Sequence, residues 1–297
     1  MELRRYRGRR DLAPLLAFCS AATIARAPLR PTWHPGDLVW QLRGRFDSAH
    51  ALYAVVQDGA VVGALWFQGE ELLIDLLPDE TRLLPGLLET AMDKARRAGS
   101  RQLQSGVDDG DAERRAAFAA AGFSLAGPAS VQFERDLAQP PAARPCVAGI
   151  HLRDCLGIDP EARAEVHRAA WSALEHLNID ATSPFSAADY LSLTASETYD
   201  PRFDIMAETA DGRLVANATA WADKPSGTAV FEPVGVHPDF RGAGLTAAVM
   251  SEAMIRLATS GLRKARVGTA HFNTSAIKAY SKAFDNAGSA STWSREL

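Results

Sequence analysis

Cysteine is scarce in this chain and scattered where it occurs. The 297 residues hold three, Cys19, Cys146 and Cys155, with no CxxC pair and no metal-ligand spacing. They read as free thiols in a reducing cytosol rather than as a disulfide framework. No stretch is apolar enough to span a bilayer, so no membrane role is expected. No long basic run follows the first ten residues, and a net charge of −4 with a pI near 6.0 argues against nucleic-acid binding. The seven histidines show no HExxH spacing and the serines no nucleophile elbow, so zinc hydrolysis and serine catalysis find no support. The N-terminus, with a basic start, an apolar run and Ala-Arg-Ala, resembles a signal peptide. Asp11 and Pro14 interrupt that run, however, and Leu12, Leu15, Leu16 and Cys19 suit an amphipathic helix. The expected location is cytoplasmic.

What is present suits two globular domains: 47% hydrophobic and 23% charged residues over a length that favours two domains rather than one. The chain also repeats itself. An Asp-Gly turn followed by an apolar run ending in tryptophan occurs at Asp58 to Trp66 and again at Asp211 to Trp221, a hairpin signal in each half. A helical pattern then ends at a glycine, Gly99 in one copy and Gly261 in the other, 162 residues apart. Arg101 and Arg263, Gly106 and Gly268, and Phe118 and Tyr280 keep the same offset of 162. "FERDL" ends the first copy and "WSREL" the second, and "AQPPAARPCVAG" between them is a proline-rich linker. The expected organisation is one α+β domain over residues 1–138, a linker over 139–149 and a second domain of the same fold over 150–297.

The second copy carries "EPVGVHPDFRGAGL", a strand-to-helix turn with two glycines and an arginine, Glu232 to Leu245. A helix N-terminus offers unpaired N–H groups and partial positive charge. Glycine lets those groups approach an anion closely, and Arg241 adds charge, so the matching cargo is a diphosphate, unless the stretch is only a tight turn before a helix. Neither the dinucleotide fingerprint G-x-G-x-x-G nor the phosphate loop G-x-x-x-x-G-K-[ST] is present. Pro233 and Gly235 interrupt the strand and favour a bulge.

These residues resemble the GCN5-related N-acetyltransferase (GNAT) family. Its coenzyme A signature, Arg/Gln-x-x-Gly-x-Gly/Ala after Val-x-Pro, is matched by "VHP", Arg241, Gly244 and Thr246, with a threonine where glycine or alanine is usual. "NTSAIKAYSKAF" is similar to the family's Asn-x-x-Ala-x-x-x-Tyr-x-x-x-Phe helix. The resemblance is strong in the second half and only in outline in the first, as in tandem-domain acetyltransferases. It implies two tandem GNAT-like domains, each a mixed, mostly antiparallel sheet flanked by helices. It also implies acetyl-CoA as cosubstrate, no metal, and a small-molecule amine as partner, in a monomer or homodimer. The strand would splay from its neighbour "KARVGTA", Val234 would bond the pantetheine arm through its backbone, and the Val236 N–H would face the thioester carbonyl. Arg241, Gly242, Ala243, Gly244, Leu245 and Thr246 would hold the diphosphate.

At the 162 offset the first copy places Asp79, Glu80, Thr81 and Arg82 where Arg241 to Gly244 stand, and Phe118 where Tyr280 stands. Two carboxylates without glycine cannot cradle a diphosphate, so the first domain is expected to be degenerate. Tyr280 is the candidate general acid, or else a half-buried packing residue. Asn273 either holds the pantetheine arm or caps the following helix. Lys282 and Lys278 either meet phosphate or lie solvated on a helix face. Glu232, four residues before Val236, would share a strand face with it and is the candidate base, directly or through water, or else a solvent-facing carboxylate. His237 would point away. The region from Trp171 to Asp204 is rich in acid (Glu175, Asp180, Asp189, Glu197, Asp200, Asp204) and has Arg202 as its one Lys or Arg, either a field that would draw a cationic amine or a solvated acidic helix face. The expected function is an acyl-CoA-dependent N-acetyltransferase acting on a metabolite or antibiotic. The alternatives are a protein or peptide N-acetyltransferase, a natural-product acyl-amine synthase, and a non-catalytic acyl-CoA-binding regulator.

Overall fold

The computed structural model describes the chain apart from residues 48, 50, 173 and 175–181 and the side chains of residues 286 and 287. In chain order the elements begin β1 (Glu2–Arg5), α1 (Leu12–Ala25), α2 (Pro35–Leu42), β2 (Leu52–Gln57), β3 (Ala60–Gln68), β4 (Glu71–Leu76) and α3 (Leu84–Arg97). Next come β5 (Gln102–Asp108), α4 (Ala112–Ala120), β6 (Ser124–Asp136), β7 (Ile150–Asp154), α5 (Pro160–Ala170) and α6 (Ala187–Thr194). The chain finishes with β8 (Asp204–Thr209), β9 (Leu214–Asp223), β10 (Thr228–Val236), α7 (Leu245–Thr259), β11 (Lys264–Ala270), α8 (Thr274–Tyr280) and β12 (Asn286–Glu296).

The chain forms two compact units, and neither is a continuous stretch of sequence. Unit 1 comprises Met1–Pro35, Arg45–Val131 and Gly288–Leu297; unit 2 comprises Gly36–Gly44 and Gln132–Ala287. The strand order is β1-β2-β3-β4-β5-β12 in unit 1 and β6-β11-β10-β9-β8-β7 in unit 2. Among the described pairings, the strands of each unit are mostly antiparallel with one parallel step, β4 beside β5 in unit 1 and β10 beside β11 in unit 2. β12, the last strand of the chain, pairs with β5 from Ala290↔Asp108 to Glu296↔Gln102. The boundaries read from the repeat near residues 138 and 150 thus separate copies of a pattern, while the compact units take segments from both.

The local signals explain the elements. Asp58 and Gly59 both have positive φ, 52° and 84°, as the tight β2–β3 turn requires. The helix of each copy ends alike. Gly99 and Gly261 are left-handed, and the N–H groups of Ser100 and Leu262 reach back to the carbonyls of Ala95 and Leu257, satisfying the last turn of α3 and α7. Leu245, Val249, Ala253 and Leu257 of α7 are all buried, as their spacing requires.

In unit 2 one face of β9 is polar and buried. Arg163 of α5 binds Asp204 at 3.1 Å and Thr219 at 2.9 Å, and Tyr199 donates to Asp204 at 3.0 Å. A buried ion pair holds only when further hydrogen bonds compensate its desolvation, and here Thr219 and Tyr199 both donate to Asp204. Segments from the first half are built into unit 2 as closely. Phe133 of β6 is buried against Tyr280 with ring centroids 6.0 Å apart. Glu134 binds Lys264 at 2.7 Å and Arg266 at 2.8 Å. Burial raises the Glu134 carboxyl, yet these two cations hold it below the usual carboxylate range. The side chain of Gln132 lies where a Cβ on Gly268 would sit. A chain of residues 150–297 lacks Gln132, Phe133 and Glu134 and every contact they make in unit 2. It is expected to show no cooperative thermal transition by circular dichroism, where the full chain shows one.

Candidate active site

The site begins where two parallel neighbours part. β10 and β11 pair from Thr228↔Lys264 to Phe231↔Val267 and, among the described residues, no further. At that point β10 carries one extra residue relative to β9, since Phe231 faces Ala220 and Val234 faces Ala218. This is the bulge expected from Pro233 and Gly235. Past it β10 stays with β9, and the His237 N–H donates to the Val215 carbonyl at 2.8 Å. Backbone groups alternate sides along a strand, so Val234 and Val236 turn theirs to the edge that β11 has left. Gly235 lets α5 approach closely: a Cβ there would lie 2.3 Å from the Trp171 ring and 2.7 Å from Ala170.

A turn without side-chain caps follows directly. Gly242 and Gly244 have φ of 82° and 78°, and a Cβ on either would meet nothing within 4 Å. The first helical bond of α7 is Ala248 N–H to the Gly244 carbonyl at 3.2 Å. Among the described residues the N–H groups of Gly242, Gly244, Leu245, Thr246 and Ala247 therefore have no protein acceptor. They converge at the positive end of α7, an arrangement suited to an anion. Arg241 is exposed and anchors this turn to α5 through the Ala170 carbonyl at 3.2 Å. Thr246 is half-buried in the first turn.

Glu232 sits in the bulge, and here the expected parity fails. The extra residue resets the alternation, so Val236, opposite Ala216, falls on the face of Phe231 and not on that of Glu232. The carboxylate instead meets α2. Trp40 hydrogen-bonds it, and Asp37 and Arg43 act on its charge. Burial first, then the like charge of Asp37, push the Glu232 carboxyl up to about 7, against the opposing pull of Arg43 and of Trp40. The main-chain carbonyl of Glu232 accepts from Trp221 Nε1 at 2.5 Å. Tyr280 is buried at the end of α8, its ring set edge-on to Phe133 and Phe284. Burial, then the charge of Glu232, raises its hydroxyl well above the usual phenol range. The two candidate proton carriers thus feel each other.

The remaining candidates fall as follows. Asn273 caps α8, accepting from the Ala276 N–H at 3.2 Å. Lys278 and Lys282 are exposed. His237 turns to Arg213, 2.6 Å from its Nε2, and accepts from the Asp239 N–H at 3.2 Å. Much of the acidic stretch is committed to structure: Asp204 to Arg163, Asp200 to Arg202, and Asp189 to a capping box with Ser186. Glu175 and Asp180 lie outside the described residues. The groups that sequence reasoning missed, Asp37, Trp40, Arg43 and Phe133, all belong to the first copy. No local pattern marks them as part of the second.

Unit 1 shows the same backbone closed off. Its Leu77 N–H donates to the Val62 carbonyl, as that of His237 does to Val215. The strand edge that corresponds to Val234 and Val236 is taken by side chains. Arg114 and Thr32 Oγ1 donate to the Ile74 carbonyl, and Arg26 donates to that of Leu76 at 2.8 Å. Asp75, buried between Arg26 at 3.1 Å and Arg114 at 3.2 Å, locks both arginines in place. The glycine turn is replaced by a tight helical turn, Pro78–Leu83, that runs straight into α3 and uses the Glu80 and Leu84 N–H groups itself.

This pair of α/β units, with a parallel step that opens beside an amide-lined turn, defines a class of fold. Residues 170–285 match the acetyltransferase (GNAT) family. The whole chain superposes on a tandem GNAT protein from the clavulanic acid biosynthesis pathway, at 18% identity over 99% of this chain and 98% of that one, with a TM-score of 0.66. It superposes on a GCN5-related N-acetyltransferase from Sphaerobacter thermophilus at 18% identity over 97% and 93%, TM-score 0.61. It also matches N-myristoyltransferase of Saccharomyces cerevisiae with bound myristoyl-CoA at 11% identity over 99% and 77%, TM-score 0.58. No protein of curated function matches it. The chain has the tandem GNAT fold, and residues 170–285 of it match the GNAT family model. Replacing Gly244 with valine would force a β-branched side chain to positive φ at the amide cluster. It is expected to weaken coenzyme A binding about tenfold or more in calorimetric titration while the fold is retained.

Proposed function

We propose that unit 2 is an acyl-CoA-dependent N-acyltransferase that moves an acetyl group from acetyl-CoA to a primary amine of a small molecule. The observation that carries this reading is the opening between β10 and β11, flanked by free strand-edge groups on one side and the amide turn on the other. The turn from Arg241 to Thr246 would hold the diphosphate, and the Val234 and Val236 main chain the pantetheine arm. The Val236 N–H would donate to the thioester oxygen as negative charge builds there. Glu232 takes one proton from the incoming amine in its ammonium form, which frees the nitrogen lone pair to form the C–N bond. As the C–S bond breaks, Tyr280 donates its proton to the sulfur and recovers one as the amine nitrogen sheds its second. A neighbour from a small-molecule biosynthetic pathway accords with a small acceptor. Among the described residues no cluster of His, Cys, Asp or Glu could hold a metal, and no helix is long and apolar enough to cross a membrane. We read the protein as cytoplasmic, working as a monomer or homodimer, with unit 1 closed to acyl-CoA by Arg26 and Arg114.

The test is release of free thiol from acetyl-CoA in the presence of a panel of amines. Glu232 carries its proton below about pH 7 and cannot accept another, so kcat/KM should rise with pH through about 7 and then level. Glu232→Gln should remove that limb and lower kcat/KM by about 10²–10⁴. Tyr280→Phe should lower kcat by about tenfold or more without changing coenzyme A affinity. Acetyl-CoA binding with no amine acetylated by the unsubstituted protein would leave only the non-catalytic binder.

A further inference from the structure

α2 is coded in the first copy and lies in unit 2. Three contacts fix it there. Gly36 sits so close to Trp221 that a Cβ would be 2.1 Å from the Trp221 Cβ. The same Trp221 donates to the main chain of Glu232. Trp40, one turn after Gly36, has ring centroids 5.5 Å from both His167 and Phe185. The Arg43 guanidinium stacks 4.0 Å over the Trp40 ring and donates to the Trp40 carbonyl at 2.7 Å. Asp37 and Trp40, three residues apart, share a helix face, and both act on Glu232.

We propose that α2 forms the acceptor wall of the reaction centre in unit 2: Asp37 and Glu232 make a carboxylate pair that receives the amine as its ammonium ion, and Trp40 is a positioning residue for the Glu232 carboxylate. This rests on the N-acyltransferase reading and narrows its acceptor class to amines that are cationic in solution. Two carboxylates on one wall attract an ammonium ion, and an indole beside them tolerates the cation on its face. Glu232 is hydrogen-bonded by Trp40 of α2, and its charge is coupled to Asp37 of α2, to Arg43 just past the end of α2 and to Tyr280 of α8. His167, behind Trp40, is kept neutral by burial and by Arg163. The proton balance is that of the proposed transfer: the ammonium ion gives one proton to Glu232 and the second leaves with the thiol.

The experiment measures kcat/KM against pH with acetyl-CoA and phenethylamine for the full chain, Asp37→Asn and Trp40→Phe. Coenzyme A affinity and thermal midpoint are recorded for each. Removing the like charge in Asp37→Asn should move the acidic limb down by about half to one pH unit and raise KM for the amine about tenfold. Removing the indole donor in Trp40→Phe should move the limb up, with coenzyme A affinity unchanged in both. Asp37→Glu should restore the limb. A packing role alone would move neither limb, or both the same way, and either result overturns the inference while leaving acyl transfer intact. If Asp37→Asn does not fold, the upward shift in Trp40→Phe and the Asp37→Glu profile decide. Failure of the unsubstituted protein to acetylate any amine would overturn the acyltransferase reading and this inference together.

Discussion

The structure turns on a strand edge that is left open. Backbone N–H and C=O groups in a sheet are nearly always paired, because leaving one unsatisfied away from water costs about 1–3 kcal/mol. After Phe231, β10 gives up its partner on one side, and the extra residue at Glu232 and Pro233 makes that separation possible without disturbing β9. The two units answer the same constraint differently. Unit 1 fills its edge with arginine side chains, held in place by the buried carboxylates of Asp75 and Asp111. Among the described residues, unit 2 leaves its edge and the following amide turn without protein partners. The pyrophosphate site and the acyl site of the proposed reaction are then consequences of one bulge and two glycines.

The division of labour between the copies is less clean than a duplication suggests. Unit 2 takes α2 and the end of β6 from the first copy, and each brings a side chain to the candidate centre: Trp40 to Glu232, Phe133 to Tyr280. A first copy without a glycine turn of its own therefore still bears on the proposed chemistry. This gives a physical reason for keeping both copies in one chain, since the proposed acceptor wall comes from a segment that precedes the second copy by more than a hundred residues.

The parts legible in the sequence are those set by local chemistry. Asp58-Gly59, Gly99, Gly261 and the glycines after Arg241 announce their turns because only a few residues tolerate those dihedrals. The 162-residue offset announces the duplication. The parts that were hidden are set by long-range pairing. β12 and β6 carry ordinary alternating patterns that would suit either sheet, and α2 is an unremarkable short helix until Gly36 meets Trp221. The facing of Glu232 was misjudged for a related reason: counting by twos along a strand fails across a bulge, and Pro233 signals a bulge without saying where the extra residue falls. The acidic stretch was over-read because a sequence shows charges but not their partners. Arg163, the partner that absorbs Asp204, lies 41 residues away.

Glu232 shows what the open edge asks of stability. A carboxyl with an ordinary value near 4.5 that is pushed to about 7 in the folded chain disfavours its own ionisation there. At 1.36 kcal/mol per unit this is about 3 kcal/mol of destabilisation once the group is charged. The sign follows from linkage: between about 4.5 and 7 the unfolded chain has released this proton and the folded chain has not, so stability falls as pH rises through that window and is then constant. A purely structural strand would shed this burden by placing a neutral residue in the bulge. Retaining the acid, and setting Asp37 beside it to raise it further, makes sense where a proton must be taken up near neutral pH. The neighbouring Trp40 and Arg43 limit the cost by favouring the ionised form, which keeps the carboxylate a base and prevents it from becoming a permanently neutral acid.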